Sequence, residues 1–295
     1  MKTKMRGICS LLIATVIWGS AFIAQSVGMD YIEPFTFQAV RCGLAVIFLI
    51  PVIWLFDVDK KNYVRNWANP HLWKTGFVCG AALFVAAGLQ QVGLVYTSAG
   101  KAGFITAMYI VLVPILGLFF KSKPSPAAWC SVGLAVAGLY LLSCVGVTEI
   151  NIGDILLLGC AFGFAVQITL VDRMAGALDG LRLNCIQSFF CALLSAVMML
   201  ITESPGMKNI LSCWLPLGYA GVLSMGVAYS LQIIGQKYVE PTPASLIMSL
   251  ESVFAVLFGW WLLNERMLPH EMAGCGLVFA AVILSQIPVK RKKHD

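Results

Sequence analysis

Apolar residues in this chain do not alternate with polar ones. They run on in long stretches, broken at regular intervals by short polar connections. Ten stretches are found, at approximately residues 7–24, 34–56, 72–94, 98–120, 126–145, 152–172, 181–201, 213–234, 241–263 and 268–288. Wound as α-helix, about 20 residues span about 30 Å, the thickness of a bilayer's hydrocarbon core. Backbone in hydrocarbon must satisfy its own hydrogen bonds, and these stretches lack the two-residue alternation of a barrel strand, so helices are expected. The longest connection, roughly residues 57–71, is too short for a soluble domain. The pattern predicts an all-α membrane protein of ten transmembrane helices.

Composition agrees, with 59% hydrophobic and only 12% charged residues, a balance that excludes an ordinary soluble globule. The charges are unevenly placed. In alternate connections, sixteen of the 20 Lys and Arg residues fall on one side and three, Lys101, Lys208 and Arg266, on the other; Arg41 lies inside a helix. The positive-inside rule then puts both termini in the cytoplasm of a multi-pass cell (plasma or inner) membrane protein. The first stretch follows Lys2, Lys4 and Arg6 as a signal peptide would, but the helix count and the charge bias both need it as a helix. The net charge of +6 and the Lys290–Lys293 tail are read as topology signals, not as a nucleic-acid surface. Tyr31, Trp54, Tyr63, Trp67, Trp73 and Trp214 fall near expected helix ends, where amphipathic rings favour the headgroup zone.

The ten cysteines are scattered, with no CxxC pair, and are read as packing residues; no cofactor or metal is expected. The histidines, His71, His270 and His294, lie at helix ends or in the tail, and HExxH, GxSxG and P-loop patterns are missing. Enzymatic catalysis and ATP-driven pumping therefore lack their usual groups.

The chain repeats itself. Shifted by 142 positions, Leu89, Gln90, Gly93, Tyr96, Ala102, Ile105, Val111 and Gly117 fall on Leu231, Gln232, Gly235, Tyr238, Ala244, Ile247, Val253 and Gly259. With one more residue inserted, Pro126, Gly133, Leu134 and Ala137 fall on Pro269, Gly276, Leu277 and Ala280. Two five-helix units are expected, at residues 1–148 and 149–295. Five is odd, so the second unit must enter the membrane from the opposite side. Such inverted repeats characterise secondary transporters, whose sites lie near the midplane between repeats.

These residues resemble the drug/metabolite transporter superfamily in its EamA-like family. The second half is the closer match, with Ala244, Ser245, Leu250, Glu251, Phe254, Ala255, Gly259, Glu265, Gly274 and Gly276 at family-like spacings. The first half supplies Trp18-Gly19-Ser20, Arg41 and Pro114. It departs from the family at Lys121-Ser122-Lys123, where many first repeats carry a glutamate. The resemblance implies a central cavity and export or exchange of amino acids, other metabolites or drugs. Expected partners are a small-molecule substrate and membrane lipids, with a homodimer left open. The alternative is a flippase for a lipid or lipid-linked precursor.

Ionisable groups inside a membrane cost about 2.5–3.5 kcal/mol on insertion scales and normally face protein or a wet cavity. Glu251 lies about 15 Å deep if its helix starts near Pro241. It shares a helical stripe with Ala244, Met248, Ala255 and Gly259, which the repeat maps onto Ala102, Thr106, Tyr109, Val113 and Gly117. Glu251 and Tyr109 are thus repeat mates. Glu251 is a candidate for proton coupling or for binding a cationic group, or else a neutral carboxyl holding helices together. Arg41 is nearer one surface, which favours a headgroup anchor over a ligand for a substrate carboxylate. The full set of candidate substrate-binding residues is Trp18, Phe22, Gln25, Arg41, Phe84, Thr106, Tyr109, Gln167, Tyr229 and Glu251. Gln90 and Gln232, also repeat mates, are read as joining helices.

Overall fold

The protein is described here by a computed structural model covering residues 2–57, 62–122, 124–143, 151–262 and 268–286. The first repeat holds α1 (Lys2–Gly28), α2 (Pro34–Phe56), α3 (Pro70–Leu94), α4 (Ala99–Phe119) and α5 (Pro126–Ser143). The second holds α6 (Ile152–Met174), α7 (Gly180–Thr202), α8 (Trp214–Gln236), α9 (Pro241–Met248 continued by Leu250–Leu262) and α10 (Pro269–Gln286). All but α5 and α10 are long and apolar enough to cross a membrane. No strand occurs among the described residues.

Helix starts follow local chemistry. Proline opens α2, α3, α5, α9 and α10, where its missing N–H is not needed. Ser98 caps α4, Asp179 caps α7, and Asn151 forms a reciprocal capping box with Asp154 on α6.

Several expected boundaries move. The first helix begins at Lys2 rather than near residue 7, because lysine and arginine continue a helix that hydropathy registers only in its apolar part. The connection at 57–71 contains a short helix, Tyr63–Trp67, and another, Met207–Ser212, precedes α8. Within α8, Tyr219–Ala228 is wound as π-helix. In α4 and α9 one turn tightens: Val111 N bonds Met108 O at 3.0 Å and Ser252 N bonds Ser249 O at 3.2 Å, both at i→i+3 spacing. The expected boundary between repeats, 148/149, lies outside the described residues, as do the C-terminal end of the last expected helix and the C-terminal tail.

The packing repeats with the sequence. Extensive contacts join α5 to α10, α3 to α6, α2 to α7, α3 to α7, α1 to α9, α1 to α8, α2 to α8 and α4 to α6. Adding five to the first-repeat labels and subtracting five from the second-repeat labels returns the same set, with α2·α7 and α5·α10 mapping onto themselves. The fold therefore has approximate two-fold character. Small residues allow the close approaches. A Cβ on Gly138 would lie 2.8 Å from Gly274 O where α5 crosses α10, and one on Gly19 would lie 2.5 Å from Phe254 Cβ where α1 meets α9.

The α2·α7 seam is fastened at both ends. Glu203, the first residue after α7, accepts from Phe35 N, Thr36 N and Thr36 Oγ1, each at 2.7 Å. At the other end Asp57, the first residue after α2, accepts from Arg182 Nη2. Thr36 and Arg182 are each the third residue of their helix, so the fastenings occupy equivalent places. Arg182 also donates to Asp179 Oδ2 at 2.9 Å and lies 5.5 Å from the Tyr63 ring and 5.7 Å from the Trp67 ring. Tyr63 and Trp67 thus shelter a guanidinium as well as marking a helix end.

Candidate functional site

Where the repeats meet, a narrow cavity is lined by six of the long helices and by Arg41 of α2. Trp18, Phe22 and Gln25 come from α1, Gln90 from α3, Thr106 and Tyr109 from α4. The second repeat supplies Phe164 and Ile168 of α6, Ser224, Met225, Tyr229 and Gln232 of α8, and Met248 and Glu251 of α9. The wall is mostly apolar with a few convergent polar groups, the usual character of a small-molecule site.

Two of those groups are of charged type. Arg41 is 2% exposed, so the headgroup-anchor expectation is corrected: its side chain turns inward, where Gln25 meets it. Arg41 Nη1 donates to Gln25 Oε1 at 2.5 Å, the guanidinium lies 5.5 Å from the Phe37 ring, and Nε is buried without a partner among the described residues. Glu251 is 7% exposed and Tyr109 Oη donates to its Oε1 at 3.1 Å. The ion pairs among the described residues, Lys101 with Asp154 and Arg182 with Asp57 and Asp179, include neither Arg41 nor Glu251.

The scaffold around these groups obeys the repeat, but the charges do not. Gln38 Nε2 donates to Phe84 O at 3.1 Å in the first repeat; Asn184 Nδ2 donates to Gly226 O at 3.0 Å in the second. Those donors lie 146 positions apart and those acceptors 142, the offsets of their helices. By the same offsets Arg41 corresponds to Gln187 and Glu251 to Tyr109. One cationic and one carboxyl side chain, each corresponding by repeat to a neutral residue, give a symmetric scaffold unlike poles.

Of the ten candidate residues, Trp18, Phe22, Gln25, Arg41, Thr106, Tyr109, Tyr229 and Glu251 come together in this wall. Trp18 and Tyr229 stack edge to face with centroids 5.0 Å apart. Two do not join them. The Phe84 ring lies 6.3 Å from Phe35, while Gln167 sits fully buried behind the wall, accepting from Gln232 Nε2 at 3.1 Å. Gln90 and Gln232, read from sequence as helix joiners, do line the cavity. Met248 shared the Glu251 stripe and could have been found there. Ser224 and Met225 belong to the π-helical stretch, whose winding no periodicity announces.

Long apolar helices in two related halves around a buried cavity have the architecture of a multi-pass membrane transporter. A model of the EamA-like transporter family matches residues 5–144 and again 151–286. The chain belongs to the EamA-like transporter family. It is 34% identical over 282 residues to an uncharacterized transporter of Archaeoglobus fulgidus, covering 95% of this chain and 85% of that one. It is 28% identical to the threonine/homoserine exporter RhtA of Escherichia coli (strain K12), covering 97% of this chain and 92% of that one. A solved crystal structure superimposes with a TM-score of 0.80 over 95% of this chain and 96% of its own at 16% identity, a likeness of fold.

Proposed function

We propose that the protein is a secondary transporter that exports or exchanges a small zwitterionic metabolite, such as an amino acid, across the plasma membrane by alternating access. The observation that carries the reading is the pair of unlike poles, Arg41 and Glu251, on a cavity buried in a membrane bundle. Isolated charged groups are costly there and are retained where they meet a ligand or an ion. An α-carboxylate suits the Arg41 fork, and an ammonium suits Glu251. RhtA, similar along nearly the whole chain, is named for export of amino acids, which supports the same class. In this reading α5 and α10 cross with the other eight helices, the repeats are inverted, both termini are cytoplasmic, and Glu251 carries the coupling proton.

The test is counterflow in proteoliposomes. Vesicles preloaded with unlabelled L-threonine should accumulate labelled L-threonine above protein-free vesicles, and Arg41→Gln should remove the excess. A panel of other amino acids and metabolites run alongside defines the cargo. Equality with protein-free vesicles across the whole panel would overturn the proposal.

A further inference from the structure

From Gln232 in the cavity wall to the layer behind it, four carboxamides of α6, α7 and α8 form a hydrogen-bonded chain that has a direction. Gln232 Nε2 donates to Gln167 Oε1 at 3.1 Å, Gln167 Nε2 to Gln187 Oε1 at 3.5 Å, and Gln187 Nε2 to Asn184 Oδ1 at 2.9 Å. Asn184 Nδ2 ends the chain on the backbone carbonyls of Met225 and Gly226, at 2.9 and 3.0 Å. A carbonyl can only accept, so Asn184 must turn its nitrogen to the π-helical stretch and its oxygen back to Gln187. Each amide then fixes the next, because reversing one would set donor against donor or acceptor against acceptor.

The polarity arrives at Gln232 with its nitrogen committed. Its Oε1 is buried and has no partner among the described residues, on a side chain that lines the cavity and is 2% exposed. The first repeat has no such chain: Gln90, the mate of Gln232, donates to Thr106 Oγ1 at 3.4 Å, and Arg41 stands where Gln187 would be. Among the described residues of that repeat that line the cavity, the buried atoms without a partner are donors, Arg41 Nε and Trp18 Nε1; the partnerless acceptors Gln38 Oε1 and Gln91 Oε1 belong to residues off the wall.

The geometry points to Gln232 as a specificity-determining residue and to Gln167 as its positioning residue: the cavity presents a fixed acceptor and takes a ligand that brings an ammonium or hydroxyl donor to it. The inference rests on the transport reading above. A buried acceptor left unmet is costly, so an analogue with that donor alkylated is rejected.

The experiment uses the full chain in proteoliposomes, with L-threonine, its O-methyl ether and its N-trimethyl betaine as competitors of labelled L-threonine. At least one derivative should compete about tenfold less well than the parent, and which one does so identifies the donor as hydroxyl or ammonium. Gln167→Met frees the Gln232 amide to turn and should narrow the gap to about threefold or less. Gln167→Glu in its protonated form has a carbonyl to accept from Gln232 and a hydroxyl to donate to Gln187, and should keep the gap. Full competition by both derivatives, or an undiminished gap in Gln167→Met, overturns the inference while leaving transport standing.

If the wild type takes no threonine, that substrate fails instead, and the amide is read without ligand. In side-chain ¹⁵N-glutamine NMR, the resonance lost in Gln232→Glu should exchange slowly with water in the wild type and quickly in Gln167→Met. Fast exchange in the wild type would overturn the inference.

Discussion

Tyr109 and Glu251, 142 positions apart and equivalent in the two repeats, are hydrogen-bonded to each other at 3.1 Å. Two places exchanged by a rotation can touch only beside its axis. The approximate two-fold axis of the fold therefore passes by this pair, which lines the cavity.

A coupling group beside that axis should be separable from the fold. Glu251→Gln is expected to abolish transport driven by a pH gradient while preserving thermal stability in detergent. Tyr109→Phe removes the donor but keeps the carboxyl, so it should slow transport several-fold, about 1 kcal/mol for one hydrogen bond, and retain the response to the gradient. Undiminished coupling in Glu251→Gln would remove the proton role.

Arg41→Gln gives the first repeat the residue type that the second has at Gln187. Loss of charge-assisted hydrogen bonds, about 1.5–3 kcal/mol, should weaken competition by an amino acid about ten- to a hundredfold. The corresponding decarboxylated amine, lacking the group that Arg41 would hold, should be nearly unaffected. Equal losses for both compounds would mean that Arg41 only supports the cavity.

The two fastenings of the α2·α7 seam should differ in strength. Arg182→Ala leaves Asp57 buried at 5% side-chain exposure without its guanidinium, and breaking a buried pair costs about 3–5 kcal/mol. At the opposite end Thr36→Val removes one of three hydrogen bonds to Glu203, about 1 kcal/mol. Thermal unfolding in detergent should rank the two in that order.

A methyl group on Gly19 would also lie 2.9 Å from Glu251 O, backbone that cannot turn aside. Gly19→Ala should push α1 from α9, cost about 1–3 kcal/mol as overpacking does, and lower transport. Gly133→Ala, where nothing lies within 4 Å, is the neutral control.

Much of this was legible in the sequence because long apolar stretches admit one secondary structure in lipid, and because a repeat offset fixes which residues correspond. Tyr109 was paired with Glu251 by that offset alone. Depth was a poorer guide: Arg41 was assigned outward from its distance along α2, whereas orientation about the helix axis decides what a side chain meets. Gln167 and Phe84 were misplaced for a related reason, since polar or aromatic character does not distinguish a wall from the layer behind it. The π-helical stretch of α8, which sets the direction of the carboxamide chain, leaves no period in the pattern.

The tightened turns of α4 and α9 act on the cavity. A residue advances about 120° around the axis in a 3₁₀ turn and about 100° in an α turn. Rewinding one residue therefore swings every side chain beyond it by about 20°, without bending the helix. In one repeat the tightened turn, Met108 to Val111, contains Tyr109; in the other, Ser249 to Ser252, it contains Glu251. The winding of these two turns thus sets the azimuths at which the Tyr109 hydroxyl and the Glu251 carboxyl meet.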